Sequence, residues 1–347
     1  MGAQVMDSPC RETRVTVRMD PSGTLRDLRV LRLENDQVCV ELLPEVGAKI
    51  WNFVHRPSGH NLLWHNPHLP PARKAFGASF DDNWSGGWDE LLPNDLPRPA
   101  PDGDLLPDHG EVWSQEAEWE VFEDGPKRCS ARFTTYGRVL PTRFEKVISL
   151  EGNDPFVRLH YTYTNHAPYP IDFLWNIHPA LAVSEHTRLE VPADRGITDP
   201  WREDRFEGNA AFTWPHAIDR AGRTVDLRRV DPPDAGVADM HYLIDVQEGW
   251  YAATDQATGI GFALAFPRAI FPHVWLFRAL GGWRGLYTLI LEASTGYPYD
   301  LEVARQRGTC GHLEPGASIE AEVLAIAYSG ISDVAEVRPD GQVLPRR

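Results

Sequence analysis

Cysteine is scarce, positive charge is outnumbered, and hydrophobic runs are short. Each shortfall removes a class of protein. The four cysteines, Cys10, Cys39, Cys129 and Cys310, lie far apart and form no C-x-x-C pair. That argues against a cysteine zinc site and against a disulfide framework. Lysine and arginine number 34 against 50 aspartates and glutamates, for a formal net charge of -16. A surface that acidic repels phosphate backbones and anionic lipid, so neither nucleic acid nor a membrane is expected as a partner. No apolar stretch reaches the length of a bilayer span. The opening MGAQVMDSPCRETRV has no basic start followed by an apolar run. No signal peptide is therefore read, and the chain is expected to be cytoplasmic. A Gly-rich phosphate loop, a G-x-S-x-G elbow and strand–helix alternation are also missing, so no cofactor is expected.

What is present is turn chemistry and alternation. Proline and glycine, 29 and 28 in 347 residues, are spread along the whole chain, which long helices would not tolerate. Between the turns, apolar and polar residues alternate. In FVRLHYTYTN, Val157, Leu159, Tyr161 and Tyr163 share one face, and Arg158, His160, Thr162 and Thr164 take the other. This is the period of a strand. QVCVELLP, RFEKVISL, IGFALAF, YTLILEA and IEAEVLAIAY read the same way. The fold predicted is all-β: one large antiparallel β-sandwich over residues 35–330. Residues 1–34 are expected to be a peripheral segment and 331–347 a C-terminal tail. The stretch 195–233 reads as a charged loop.

Four segments carry candidate chemistry. In LPDHGEVWS, His109 and Glu111 project to one side if the segment is extended; a surface loop histidine is the competing reading. In IDFLWNIHPAL, taken as one strand, His178 shares a face with Asn176 and Asp172, against Ile171, Phe173, Trp175 and Ile177; a core histidine bonded to backbone is the alternative. In VADMHYLID, Asp239 and His241 fall on one side, as a solvated strand entrance also would. In LYTLILEASTGYP, Glu292 ends an apolar strand on the face of Leu286, Thr288 and Ile290. Partial desolvation there would raise its pKa and make it a better base near neutrality. A solvated strand-end glutamate is the competing reading. Tryptophan is plentiful, 12 in all, and Trp84, Trp88, Trp113, Trp175, Trp275 and Trp283 fall near these polar positions. Indole faces pack on sugar rings, and they also fill sandwich cores. His109, Glu111, His178 and His241 could together make a metal set, although the chain has no H-x-H pair.

Taken together, these segments resemble the galactose mutarotase-like superfamily, and within it proteins related to aldose 1-epimerase. VELLPEVGAKIWNFVHRPSGHNLLW is similar to that family's opening. GGWDELLPN resembles the segment that follows it in an uncharacterised branch. DHGEVW, WNIHPAL and LEASTGYP resemble its two histidine motifs and its late glutamate motif. The likeness runs from about Asn35 to Ser329. It implies a β-supersandwich holding a monosaccharide or small sugar derivative in an open cleft, with the chain a monomer or homodimer. Glu292 corresponds to the catalytic base, His178 to the general acid, and His109 to a second histidine near the ring oxygen. Asp239, Glu90, Trp88, Trp175 and Arg278 are the expected substrate-binding residues. One departure stands out. The family's early Asn-Arg pair is replaced by Trp88-Asp89-Glu90-Leu91, with Arg278 or Arg284 left to supply a positive charge. The activity implied is anomer interconversion by acid/base ring opening. The alternative is a non-catalytic carbohydrate-binding or sensing protein on the same fold.

Overall fold

The computed structural model describes residues 17–202 and 204–346. Two antiparallel sheets carry the fold. The larger has 14 strands. Its central run pairs Lys49–His55, Trp88–Leu91, Asn176–Leu181, Tyr287–Ser294, His273–Leu280, Val237–Leu243 and Arg195–Thr198 in that spatial order. The smaller sheet has eight strands, among them Phe156–Asn165 between Thr142–Glu151 and Ser318–Tyr328. The alternation of FVRLHYTYTN holds: Val157, Leu159, Tyr161 and Tyr163 are buried, and the residues between them are partly exposed.

The inner faces of the two sheets meet in one core. Phe53 and Trp88 of the large sheet pack edge-on against Phe262 of the small one, with ring centroids 5.6 and 6.1 Å apart. Successive strand residues point to opposite faces, so parity decides which residues enter this core. Leu289, Leu291 and Ala293 do. Ile290 and Glu292 point to the other side, away from the small sheet.

Three stretches differ from the sequence expectation. Residues 18–34, read as peripheral, form strands Arg18–Leu25 and Leu28–Glu34 on the edge of the large sheet. Leu28, Leu31 and Leu33 are fully buried there. Residues 331–347, read as a tail, include the hairpin of Val334–Val337 with Val343–Pro345. Its Val334 and Val337 pack with Trp250 and Tyr328 on the outside of the small sheet. IDFLWNIHPAL is two strands, not one. Ile171–Phe173 pairs with Gly311–Leu313, and Asn176–Leu181 joins the large sheet. The charged stretch 195–233 contains four short strands at one end of the large sheet.

Candidate active site

The outer face of the large sheet forms the floor of a cavity of about 800 Å³, counted out to its mouth. Register sets the floor. Trp275 lies opposite Glu292, Phe277 opposite Ile290, and Met240 opposite Phe277. All five line the cavity. His178 enters from the neighbouring strand Asn176–Leu181. The walls are loops. A four-residue helix, Phe80–Asn83, brings Phe80, Asp81 and Trp84, and other loops bring Asp95, Asp108, His109, Trp201, Trp283 and Tyr299.

His109 reaches the cavity through an unusual backbone. Its φ is +58°, a left-handed conformation that few residues other than glycine adopt, histidine more readily than most. Gly110 follows at φ +79°. A Cβ on Gly110 would stand 2.1 Å from the carbonyl oxygen of Leu92. The two segments are tied there: the His109 amide donates to Asp95 O at 2.6 Å, and the Glu111 amide to Leu92 O at 2.7 Å. His-Gly is thus a packing requirement as much as a chemical motif. The same turn points Glu111 elsewhere. Its carboxylate accepts the amides of Arg138 and Val139, both at 2.6 Å, and pins that loop.

The imidazole of His109 stacks on Phe80, centroids 4.2 Å apart. Its Nδ1 lies 2.8 Å from Asp108 Oδ1, and its Nε2 lies 3.8 Å from Asp95 Oδ2. Asp108 is fixed in turn by the amide of Phe80, which donates to Oδ2 at 2.7 Å. Burial disfavours charge on the ring, but the two carboxylates outweigh it and push His109 up to about 9. His178 is the opposite case. Burial, then the charges of His109 and Lys49, hold its pKa well below the ordinary value. Its Nδ1 has no hydrogen-bond partner among the described residues. The rings of Phe80 and Trp84 meet it edge to face at 5.5 and 5.9 Å. Glu292 is only 3 % exposed, and its Oε2 is likewise without a partner. Burial, followed by the nearby Asp95, lifts its carboxyl well above the usual range, against an opposing pull from His109. Asp95 is itself raised, to about 6, by burial against the pull of His109. The cavity therefore holds a charged imidazole in His109, a neutral imidazole in His178 and, in Glu292, a carboxyl group that burial makes hold its proton more tightly than usual.

The five expected substrate-binding residues are placed elsewhere, and parity is the reason. Asp239 lies opposite Arg278, one residue from Met240 and Phe277 in their strands. Both therefore point to the inner side of the sheet. Arg278 donates to Asp231 and lies 3.4 Å from Asp239 Oδ1; His241 Nε2 lies 2.9 Å from the same oxygen. Burial works against the Asp239 carboxylate, but Arg278, with His241 and Arg205 beside it, brings it down to about 2. Trp88 and Glu90 also face inward, opposite Pro179 and Ile177. Trp88 packs in the core, and Glu90 accepts from Tyr161 at 2.7 Å beside Lys146 at 3.6 Å. Trp175 is buried against Phe144, Tyr161 and Phe271. Arg284 sits at the rim, bonded to Asp81 O and Asp82. The four residues considered for a metal do not meet: Glu111 holds a loop and His241 faces inward. Among the described residues no group of three or more histidine, cysteine, aspartate or glutamate side chains is placed to hold a metal ion.

Residues the motifs did not announce complete the cavity: Asp95, Trp201, Met240, Phe277 and Tyr299. Two of these had a nearby signal: Asp95 directly follows GGWDELLPN in a proline-flanked turn, and Met240 lies inside VADMHYLID on the face opposite Asp239 and His241.

No protein-family model and no curated protein sequence matches the chain. Solved structures do match. A candidate aldose 1-epimerase from Klebsiella pneumoniae superposes with a TM-score of 0.68 at 16 % identity, over 90 % of this chain and 83 % of that one. A candidate aldose 1-epimerase from Escherichia coli K12 gives 0.60 at 14 %, over 91 % and 99 %. A galactose mutarotase-like protein from Lactobacillus casei gives 0.59 at 14 %, over 86 % and 100 %. At these identities the likeness is one of fold, and the chain has the galactose mutarotase-like β-sandwich fold.

Proposed function

We propose that this chain interconverts the anomers of an aldose by acid/base ring opening. The observation that supports it is the convergence of Glu292, His178 and His109 on one cavity walled by aromatic rings. Large flat rings suit the C–H faces of a sugar, and a few polar groups among them set its orientation.

Glu292 takes the proton of the anomeric hydroxyl as the C1=O bond forms. The C1–O5 bond breaks, and its electron pair takes a proton from an imidazolium. The open-chain aldehyde turns about C1–C2, and the same transfers run backwards to close the ring on the other face. The resemblance gives the acid role to His178. The electrostatics favour His109, which Asp95 and Asp108 keep protonated, with His178 as a neutral hydrogen-bonding partner. The chemistry as written needs no cofactor. Acid and base are each worth about 10²–10⁴-fold.

Exchange NMR on a panel of aldoses tests the reading: the protein should speed anomer exchange of at least one sugar beyond its spontaneous rate. No acceleration on any member rejects it. One observation favours a second reading, sugar binding without turnover. Glu292 receives no hydrogen bond from any described residue, and burial favours its protonated, non-basic form. That reading predicts saturable binding with spontaneous exchange rates.

A further inference from the structure

We propose that this cavity selects an aldose carrying a free ammonium group, an amino sugar, over neutral and anionic aldoses. The inference rests on the sugar-binding reading above and names its substrate class.

Charge inventory is the first ground. Four carboxyl groups line the cavity, those of Asp81, Asp95, Asp108 and Glu292, against two imidazoles. No lysine or arginine is among the lining residues. The arginine that the sequence offered, Arg278, lies on the far side of the sheet and is spent on Asp231 and Asp239. Two arginines that adjoin lining residues are also committed. Arg202 lies beside the ring of Trp201 and donates to Gly282 O at 2.9 Å. Arg284 lies over Trp283 and donates to Asp81 O and Asp82. A sugar phosphate or uronate entering this cavity would meet carboxylates with only His109 to offset them, and His109 is already paired.

Unmet hydrogen bonding is the second ground. Asp108 has both oxygens engaged, one by His109 and one by the Phe80 amide. Asp95 and Glu292 have neither. Asp95 is 8 % exposed, and its nearest cationic partner, His109 Nε2, stands 3.8 Å away, beyond hydrogen-bond range. Glu292 Oε2 is buried with no donor among the described residues. Two carboxyl groups without donors, both facing one cavity, call for donors from the ligand. A hydroxyl can supply one each, but an ammonium supplies three and compensates charge as well.

The third ground is the wall. Trp201, Phe277 and Trp283 touch one another with centroids 5.1 to 6.0 Å apart, and Trp84 continues the surface 6.2 Å from Trp283. Such a surface accepts a sugar face, and its ring quadrupoles also attract a cation. Aromatic faces combined with carboxyl groups that lack donors are a recognition set for an organic ammonium.

The test is calorimetric binding at pH 7 and low salt. The ligands are glucose, its 2-amino, 3-amino and 6-amino deoxy analogues, glucuronate and glucose 6-phosphate. Expected is a Kd at least about tenfold lower for one of the amino sugars than for glucose, and none measurable for the two anions. In Asp95→Asn that ratio should fall to within about threefold. The inference is overturned if no amino sugar gains tenfold on the wild-type protein, if either anion binds as tightly as glucose, or if the ratio survives in Asp95→Asn. The wild-type panel decides even if the variant does not fold. Anomer exchange measured on the same ligands separates the two proposals. Tight amino-sugar binding without exchange keeps this one and loses the catalytic reading. Exchange of glucose without ammonium preference does the reverse.

Discussion

Replacing Glu292 by glutamine should make the protein more stable and less active, and the stability gain should depend on pH in a defined direction. The carboxyl group is buried, and its Oε2 receives no hydrogen bond from a described residue. Burial, reinforced by Asp95, raises its pKa well above 4.5 in the folded chain. Between 4.5 and that raised value the folded state keeps a proton that the unfolded state has released. Folded chains then bind more protons than unfolded ones, so stability falls as pH rises through this window. Each pH unit crossed inside it costs about 1.4 kcal/mol. Glutamine has nearly the same shape and does not titrate. At pH 4, where the glutamate is protonated in both states, the two proteins should therefore differ least. Above that the variant should pull ahead, by roughly 1–2 °C in Tm for each kcal/mol in a chain of this size. Anomer exchange should fall by about 10²–10⁴-fold wherever the wild-type carboxyl group has lost its proton. Thermal unfolding from pH 4 to pH 8, with exchange NMR on the same samples, measures both. Parallel melting curves, or a variant less stable than wild type at pH 7, would show that the carboxyl group is not buried without a partner. An unchanged exchange rate would remove Glu292 from the chemistry.

Three further outcomes follow from the geometry. The pH profile of kcat/KM should fall on the basic side near 9, where His109 loses its proton. Asp108→Asn removes an anion and a hydrogen bond that favour the imidazolium, so this limb should move to lower pH; a limb that stays in place would assign it to another group. Gly110→Ala sets a Cβ 2.1 Å from Leu92 O at a left-handed backbone position; it should cost more than about 1 kcal/mol and should lower activity by displacing His109, read by denaturant melts beside exchange rates. Lys49→Met breaks a buried pair in which Lys49 Nζ lies 2.6 Å from Asp89 Oδ2; the stranded carboxylate should cost about 3–5 kcal/mol, and Lys49→Met with Asp89→Leu should recover most of it, as urea midpoints would show.

Period-two alternation sufficed for the architecture because it records a local fact. A half-buried strand must place apolar side chains on every second residue, as Phe156–Asn165 does. His109, His178 and Glu292 were legible for a related reason: each sits in a short motif whose neighbours serve the backbone, such as the Gly110 turn against Leu92. Residues 18–34 escaped because the strand reading began only near residue 37. Asp95 had no motif of its own, since its partner His109 is brought to it by a turn.

The sequence by itself determined which residues share a side of each strand. Asp239 and His241 were bound to share a side, and so were Glu292 and Ile290. Which side faced the second sheet and which faced the cavity was decided only by tertiary packing, because alternation is symmetric between two faces when both carry polar groups. Packing sent Asp239 and Arg278 inward to pair with each other and Glu90 inward to Tyr161 and Lys146, and left Glu292, His178 and Asp95 around an open space with charges that only burial and neighbours from distant segments could set.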